Sequence, residues 1–192
     1  MAKTHIEGAG RFHHHNPRVP AIVTAHARGK DNAMAASWHT AISFNPPLIG
    51  VCIAAKRFTY QLILEGQEFG LNFLPVEEAE LIAALGGSKG SEVDKFQKFG
   101  IKKVKPLRTS VPILEDAYAA YECSLTDHRS YGDHEWLVGE VLATHFEEGV
   151  LTDEGILDLE RVAPTLYLGA DVYATAAKDS LRVLDRSAYG KG

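Results

Sequence analysis

Residues 20–73 pass through two alternating segments and a Pro46-Pro47 turn into a short, wholly apolar segment, 48–55, which stops abruptly on Lys56-Arg57-Phe58-Thr59. Alternation of period two dictates extended chain, and an apolar run of this length bounded by turn residues reads as a buried strand. Strands crowded this closely bury their apolar faces by pairing into one sheet or barrel. The cationic stop has its own chemistry. If a helix begins there, its unpaired N–H groups and positive dipole end converge with charged side chains on an anion. Arg57 supplies a planar donor fork, Lys56 a mobile point charge, and Thr59 a helix-capping or phosphate-binding oxygen.

The same reading gives strands at 19–26, 33–44, 48–55, 69–74, 117–127, 135–146 and 167–174. Turns are expected at Asp31-Asn32, after Gly29, and at Gly132-Asp133. Helical patterns are fewer, at 59–65 and 76–85; the second opens on Glu77, Glu78 and Glu80 and ends at Gly86-Gly87. Residues 1–18 read as an extended lead-in to a single domain over 19–192. Residues 88–116 are the least regular stretch and suit an excursion over a ligand or a partner subunit. This spacing predicts a mainly β fold with some α, an antiparallel barrel.

A formal charge of -5 opposes a general nucleic-acid binder, which needs a basic face. Lys102, Lys103, Lys105 and Arg108 form the one local basic cluster, read as solvated surface. Cys52 and Cys123 lie far apart without a CxxC context, so both read as small core residues. No apolar run is long enough to span a bilayer and the N-terminus lacks a signal-peptide core, so the expected setting is cytoplasmic and reducing.

Several motifs carry a resemblance in their order. Asn32-Ala33-Met34-Ala35-Ala36-Ser37-Trp38, Ser43-Phe44-Asn45-Pro46-Pro47-Leu48, Lys56-Arg57-Phe58-Thr59-Tyr60 and Phe69-Gly70-Leu71-Asn72 resemble the flavin reductase-like, FMN-binding split-barrel family, with flavoredoxins nearest in appearance. Asp94-Lys95-Phe96, Gly132-Asp133-His134 and Val138-Gly139-Glu140-Val141 resemble its later motifs. The resemblance implies a split barrel that holds FMN non-covalently, commonly at a homodimer interface. Reducing equivalents would pass from NADH or NADPH through the flavin to a second acceptor. A non-enzymatic carrier of flavoredoxin type, reduced by a redox protein partner, is the main alternative; a barrel with another flavin or a deazaflavin is more distant.

In that frame Lys56, Arg57 and Thr59 cradle the phosphate, and Ser37 with backbone from Ala35 to His39, Ala36 included, forms the ribityl track. Trp38 walls the ring or its ribityl junction with a large rigid surface. Asn32 shapes the turn before its strand. By family analogy Ala54 offers backbone near the phosphate, Asn72 lies near the flavin and Lys95 reaches it. His134, opening a strand after a turn, contacts the nicotinamide nucleotide or the flavin edge. Taken alone, Trp38 reads as a core tryptophan, and Arg57 and His134 as surface residues. His13-His14-His15 is a weak metal pattern without a partnered Cys or carboxylate. Gly8-Ala9-Gly10 and Gly86-Gly87-Ser88-Lys89 do not complete a dinucleotide or nucleotide-hydrolase loop, and no Gly-x-Ser-x-Gly elbow occurs.

Overall fold

The computed structural model describes residues 1–188 and 190. Eleven strands appear in chain order among them: β1 (Ala21–Ala27), β2 (Lys30–Ala36), β3 (His39–Phe44), β4 (Pro47–Ile53), β5 (Glu68–Phe73), β6 (Lys103–Val104), β7 (Ile113–Leu114), β8 (Ala119–Tyr131), β9 (His134–Phe146), β10 (Thr165–Gly169) and β11 (Val172–Thr175). The helices are α1 (Phe58–Gly66), α2 (Ala79–Gly87) and α3 (Lys95–Phe99). Seven strands make one sheet in the order β2-β1-β5-β8-β9-β4-β3, and every pairing in it is antiparallel.

This order forces the sheet to roll. β2 and β3 lie at opposite edges, yet only Ser37 and Trp38 separate them in the chain. Laid flat, six strand spacings would part those edges by about 29 Å. The three Cα steps from Ala36 to His39 reach only about 11 Å. The edges are therefore drawn close without a ladder between them, and Cys52 N–H, donating to the Trp38 carbonyl at 2.8 Å, carries the β3-β4 pairing one residue further. The fold is a split antiparallel barrel. Residues 33–44, expected as one strand, break at Ser37-Trp38 because the chain crosses there from one edge to the other.

Packing explains why β1 is apolar along its whole inner face and at Ile22 on its outer one. Val23 and Ala25 point into the barrel with Val51, Phe69 and Leu137, while Ile22 points outward against Ile82, Leu85 and Phe96. Phe69 fills the barrel opposite Gly139, where a Cβ would stand 2.4 Å from its ring. α2 and α3 thus cover the outside of β1 and β2.

Local turn chemistry moved other boundaries. The first turn is Arg28-Gly29, both with positive φ, and Asp31 and Asn32 already lie in β2. Segment 167–174 is a hairpin turning at Ala170-Asp171, also at positive φ. Gly132-Asp133 does join β8 to β9, pairing Tyr131 with His134. The irregular stretch contains α3, capped by the Asp94 carboxylate on Gln97 N–H at 3.0 Å, and the small β6-β7 pair. In the basic cluster Lys103 pairs with Asp31 and Lys102 with Glu115.

Three polar side chains fasten that stretch to β5 and β8. The buried Glu122 carboxylate accepts from the backbone N–H groups of Leu107, Arg108 and Thr109, from the Thr109 hydroxyl, and from His145 Nε2 at 2.6 Å. Glu68 accepts from Ser110 N–H and hydroxyl. Asn72 Oδ1 accepts from Leu114 N–H at 2.9 Å, while its amide donates to the Ile22 carbonyl and Thr24 hydroxyl.

Candidate functional site

β4 delivers the chain to the site through Ala54, whose carbonyl accepts from Arg57 N–H at 2.9 Å. That turn makes Arg57 the extended N-cap of α1, and no side chain caps the helix start. The first amides of α1 are left for an external acceptor. Thr59 is buried, and its hydroxyl oxygen accepts from Asn32 Nδ2 at 2.7 Å. With its oxygen so engaged, the Thr59 hydroxyl is set to donate, and Asn32 is the residue that orients it. Asn32 in turn supports the opposite wall, because a Cβ at Gly90 would stand 2.1 Å from its Oδ1. Loop backbone alone fits there.

Lys95 enters from the start of α3 and is 2% exposed. Its ammonium donates to the carbonyls of Ala33 and Leu85, both at 2.8 Å, clamping the end of α2 to β2. An ammonium has three N–H donors, so one remains after these two. Burial first, and then the nearby Arg57 guanidinium, pull its pKa down to about 8. Asn32, Lys56, Arg57, Thr59 and Lys95 line one pocket of about 400 Å³, joined by Ser88, Lys89 and Ser91. Four cations face this space and no carboxylate lines it.

A second pocket, about 160 Å³, shares Arg57 and is lined by Ala36, Ser37, Trp38, Ala54, Cys52 and His134 among others. The rings of Trp38 and His134 lie 4.9 Å apart with a 37° tilt. His134 Nδ1 also meets the Asp133 carboxylate at 2.7 Å. His13, in the short turn Phe12–His14 of the lead-in, sets its edge towards Trp38 at 6.2 Å. Beyond Trp38 an apolar cavity of about 550 Å³ opens between Phe12 and Trp136.

The anticipated residues thus fall into two joined pockets, with one left outside. Asn72 sits in the core with every polar atom of its amide hydrogen-bonded, fastening β7 to β1 and β5. Ser88, Lys89 and Ser91 were missed. Their signal is a Gly- and Ser-rich segment with one Lys that lacks a nucleotide-hydrolase loop pattern. Here the segment follows a helix and closes a pocket built by a different loop. Among the described residues, no three His, Cys, Asp or Glu side chains converge on a metal position.

Comparison with known proteins gives the arrangement its context. The family model described as a flavin reductase like domain matches residues 13–175. An FMN-binding protein from Thermus thermophilus, solved with bound p-hydroxybenzaldehyde, is 36% identical with a TM-score of 0.83, over 95% of this chain and 100% of that one. Flavoredoxin from Methanosarcina acetivorans is 25% identical with a TM-score of 0.82, over 96% of each chain. An uncharacterized Aeropyrum pernix protein is 32% identical over 154 residues, 80% of this chain; that match spans 58% of the relative's length. With the split barrel, the uncapped helix start and this match over most of its length, the chain belongs to the flavin reductase-like, FMN-binding split-barrel family.

Proposed function

We propose that this protein binds FMN non-covalently and passes reducing equivalents from NADH or NADPH through it to a second acceptor. The observation that carries the reading is the acid-free pocket with four cations, continuous through Arg57 with the slot beside Trp38 and His134. The donor set suits a phosphate monoester, which carries about -1.5 to -2 charge near neutrality. Lys56 and Arg57 would neutralise it, the α1 amides and the Thr59 hydroxyl would donate to it, and Lys95 has a donor to spare. Asn32 acts through Thr59. Ala36, Ser37 and Ala54 line the slot leading from the phosphate, and Trp38 gives a flat ring a rigid wall. When bound, FMN supplies the two-electron redox chemistry. The protein's task is orientation, and His134 beside Trp38 would seat the nicotinamide nucleotide without acting as a base.

Exposed Ile42, Phe44 and Phe146 support pairing with a second copy, and the free thiols Cys52 and Cys123 support a reducing, cytoplasmic setting. No helix among the described residues is long and apolar enough to cross a membrane.

The test is anaerobic spectroscopy. FMN is expected to bind much more tightly than riboflavin, and NADH or NADPH to bleach the bound flavin. His134→Ala is expected to retain FMN and full reduction by dithionite while bleaching more slowly with nucleotide. Equal affinities for FMN and riboflavin would remove the phosphate assignment. Failure of both nucleotides beside full reduction by dithionite would replace the reductase with a carrier reduced by a protein partner.

A further inference from the structure

The histidines of the lead-in play no part in holding FMN, and they are not alike. His14 lies on the β10–β11 hairpin at Gly169, which has φ +105° and where a Cβ would stand 2.6 Å from the imidazole. Only glycine lets the ring settle there. Four residues on, Arg18 N–H donates to the Tyr167 carbonyl at 3.1 Å, and Tyr167 N–H donates to the Arg18 carbonyl at 2.7 Å. The Arg18 guanidinium then reaches back to the His13 carbonyl. Residues 12–18 thus form a strap pinned at two points of β10 and tied to itself.

The pinned strap carries Phe12 and His13 towards the slot. Phe12 meets His13 at a ring separation of 5.6 Å, His13 meets Trp38 edge-on, and Trp38 meets His134, so one aromatic row runs from the strap to the slot. Phe12 is 58% exposed, and its ring is open to the cavity of about 550 Å³ that it lines with Trp38 and Trp136. Ser37 and Trp38 line this cavity and the slot alike, so one leads into the other. The polar groups around the cavity are donors. The Arg18 guanidinium keeps further N–H groups after the one spent on His13, and Ser37 and Thr40 bring hydroxyls. His39 Nε2 is already engaged with the Val19 carbonyl at 2.8 Å, and no carboxylate lines the cavity among the described residues.

Resting on the flavin reading above, we propose that this cavity is the vestibule of the second acceptor, a flat, apolar molecule of quinone type that Phe12 on its strap selects by shape. The volume suits a small organic ligand, and Phe12, Trp38 and Trp136 offer surface to a flat ring. Donors without a carboxylate match a ligand whose polar groups are carbonyl oxygens alone. The reduction balances: the hydride surrendered by NADH or NADPH and one proton from water convert a quinone to its hydroquinone, and oxidised nucleotide leaves. A bulky redox protein approaching from this side would have to displace a segment held by two backbone bonds and by His14. Selection acts on entry, so Phe12 is a specificity-determining residue that leaves FMN affinity alone.

The experiment titrates 2,3-dimethyl-1,4-naphthoquinone, whose blocked ring carbons resist the Cys52 thiol of the slot, into flavin-free protein and follows tryptophan fluorescence. Both tryptophans of the chain line the cavity, so saturable quenching reports occupancy. Phe12→Ala, at an exposed position that leaves the fold intact, is expected to weaken quinone binding by about three- to tenfold, while FMN affinity shifts by less than about twofold. Gly169→Ala, which pushes His14 off the hairpin, is expected to act in the same direction. In FMN-loaded protein Phe12→Ala should raise the KM for the quinone by the same factor without lowering the rate with ferricyanide, a hydrophilic acceptor that needs no apolar seat. Quenching that does not saturate in the wild type, unchanged quinone affinity in Phe12→Ala, or an equal loss of FMN affinity would overturn the proposal. Quinone binding without FMN binding fails the flavin reading and the acceptor role with it; FMN binding without quinone binding overturns the vestibule alone.

Discussion

Glu122→Ala is expected to be among the most destabilising single substitutions in this chain, by about 3–5 kcal/mol, with the melting temperature lowered by roughly 10 °C. The carboxylate is 0% exposed and takes hydrogen bonds from the backbone of three consecutive residues, 107–109, from the Thr109 hydroxyl and from His145. Removing it takes the shared acceptor from three amides, a hydroxyl and an imidazole and releases the stretch that Glu122 ties to β8. Glu122→Gln tests the charge separately: it keeps the volume but loses the charge-assisted bonds, so an intermediate loss is expected. Burial alone would raise the Glu122 pKa, but the bonds from Leu107, His145, Arg108 and Thr109 outweigh it and hold the carboxyl down at about 2. A carboxylate with a depressed folded-state pKa stabilises the fold above its unfolded pKa, and that contribution drains away as pH falls from about 5 towards 2. Thermal melts of wild type and Glu122→Gln across this window should therefore converge at the acid end. A Glu122→Ala protein that melts with wild type would show that the loop needs no such anchor.

How legible the sequence was follows from the range of the interactions. Period-two segments such as β1 and β9 declare themselves because each residue's face is set by its own neighbours. The junction at Lys56-Arg57 was readable for the same reason, since a strand stop, two cations and a helix start lie within a few residues. What was not local was not readable. Nothing near Ser37-Trp38 signals that the strand breaks there; the break comes from the chain crossing from one sheet edge, β2, to the other, β3. Residues 88–116 looked structureless because their order comes from Glu68, Asn72 and Glu122, side chains in other strands. Asn72, which the resemblance places near the flavin, has its amide hydrogen-bonded to Ile22, Thr24 and Leu114, a fastening no local pattern announces. Ser88, Lys89 and Ser91 gain meaning only from the α1 start facing them.

Arg57→Ala is expected to weaken FMN binding by roughly ten- to a hundredfold, the loss of one charge-assisted contact of about 1.5–3 kcal/mol. Arg57 and Lys56 are exposed, so added salt should weaken the wild type in the same direction. A second effect separates an electrostatic role from a structural one. Buried Lys95 titrates at about 8 because of burial and, after it, the Arg57 charge. A bound phosphate favours the charged ammonium, so below pH 8 the lysine is already protonated, and above it FMN binding must take up a proton. Wild-type affinity should thus be flat from about pH 7, above the second phosphate pKa of about 6, to about pH 8 and fall by roughly tenfold by pH 9, whereas riboflavin shows no such decline. Removing the Arg57 charge relieves one of the two pressures on Lys95 and moves this break to higher pH. Lys95→Arg, which keeps a charge that does not titrate in this range, should flatten the profile. The decisive measurement is FMN affinity against pH for wild type, Arg57→Ala and Lys95→Arg, with riboflavin as the phosphate-free control. A folded Arg57→Ala protein with wild-type affinity and an unmoved break would place the phosphate away from the α1 start.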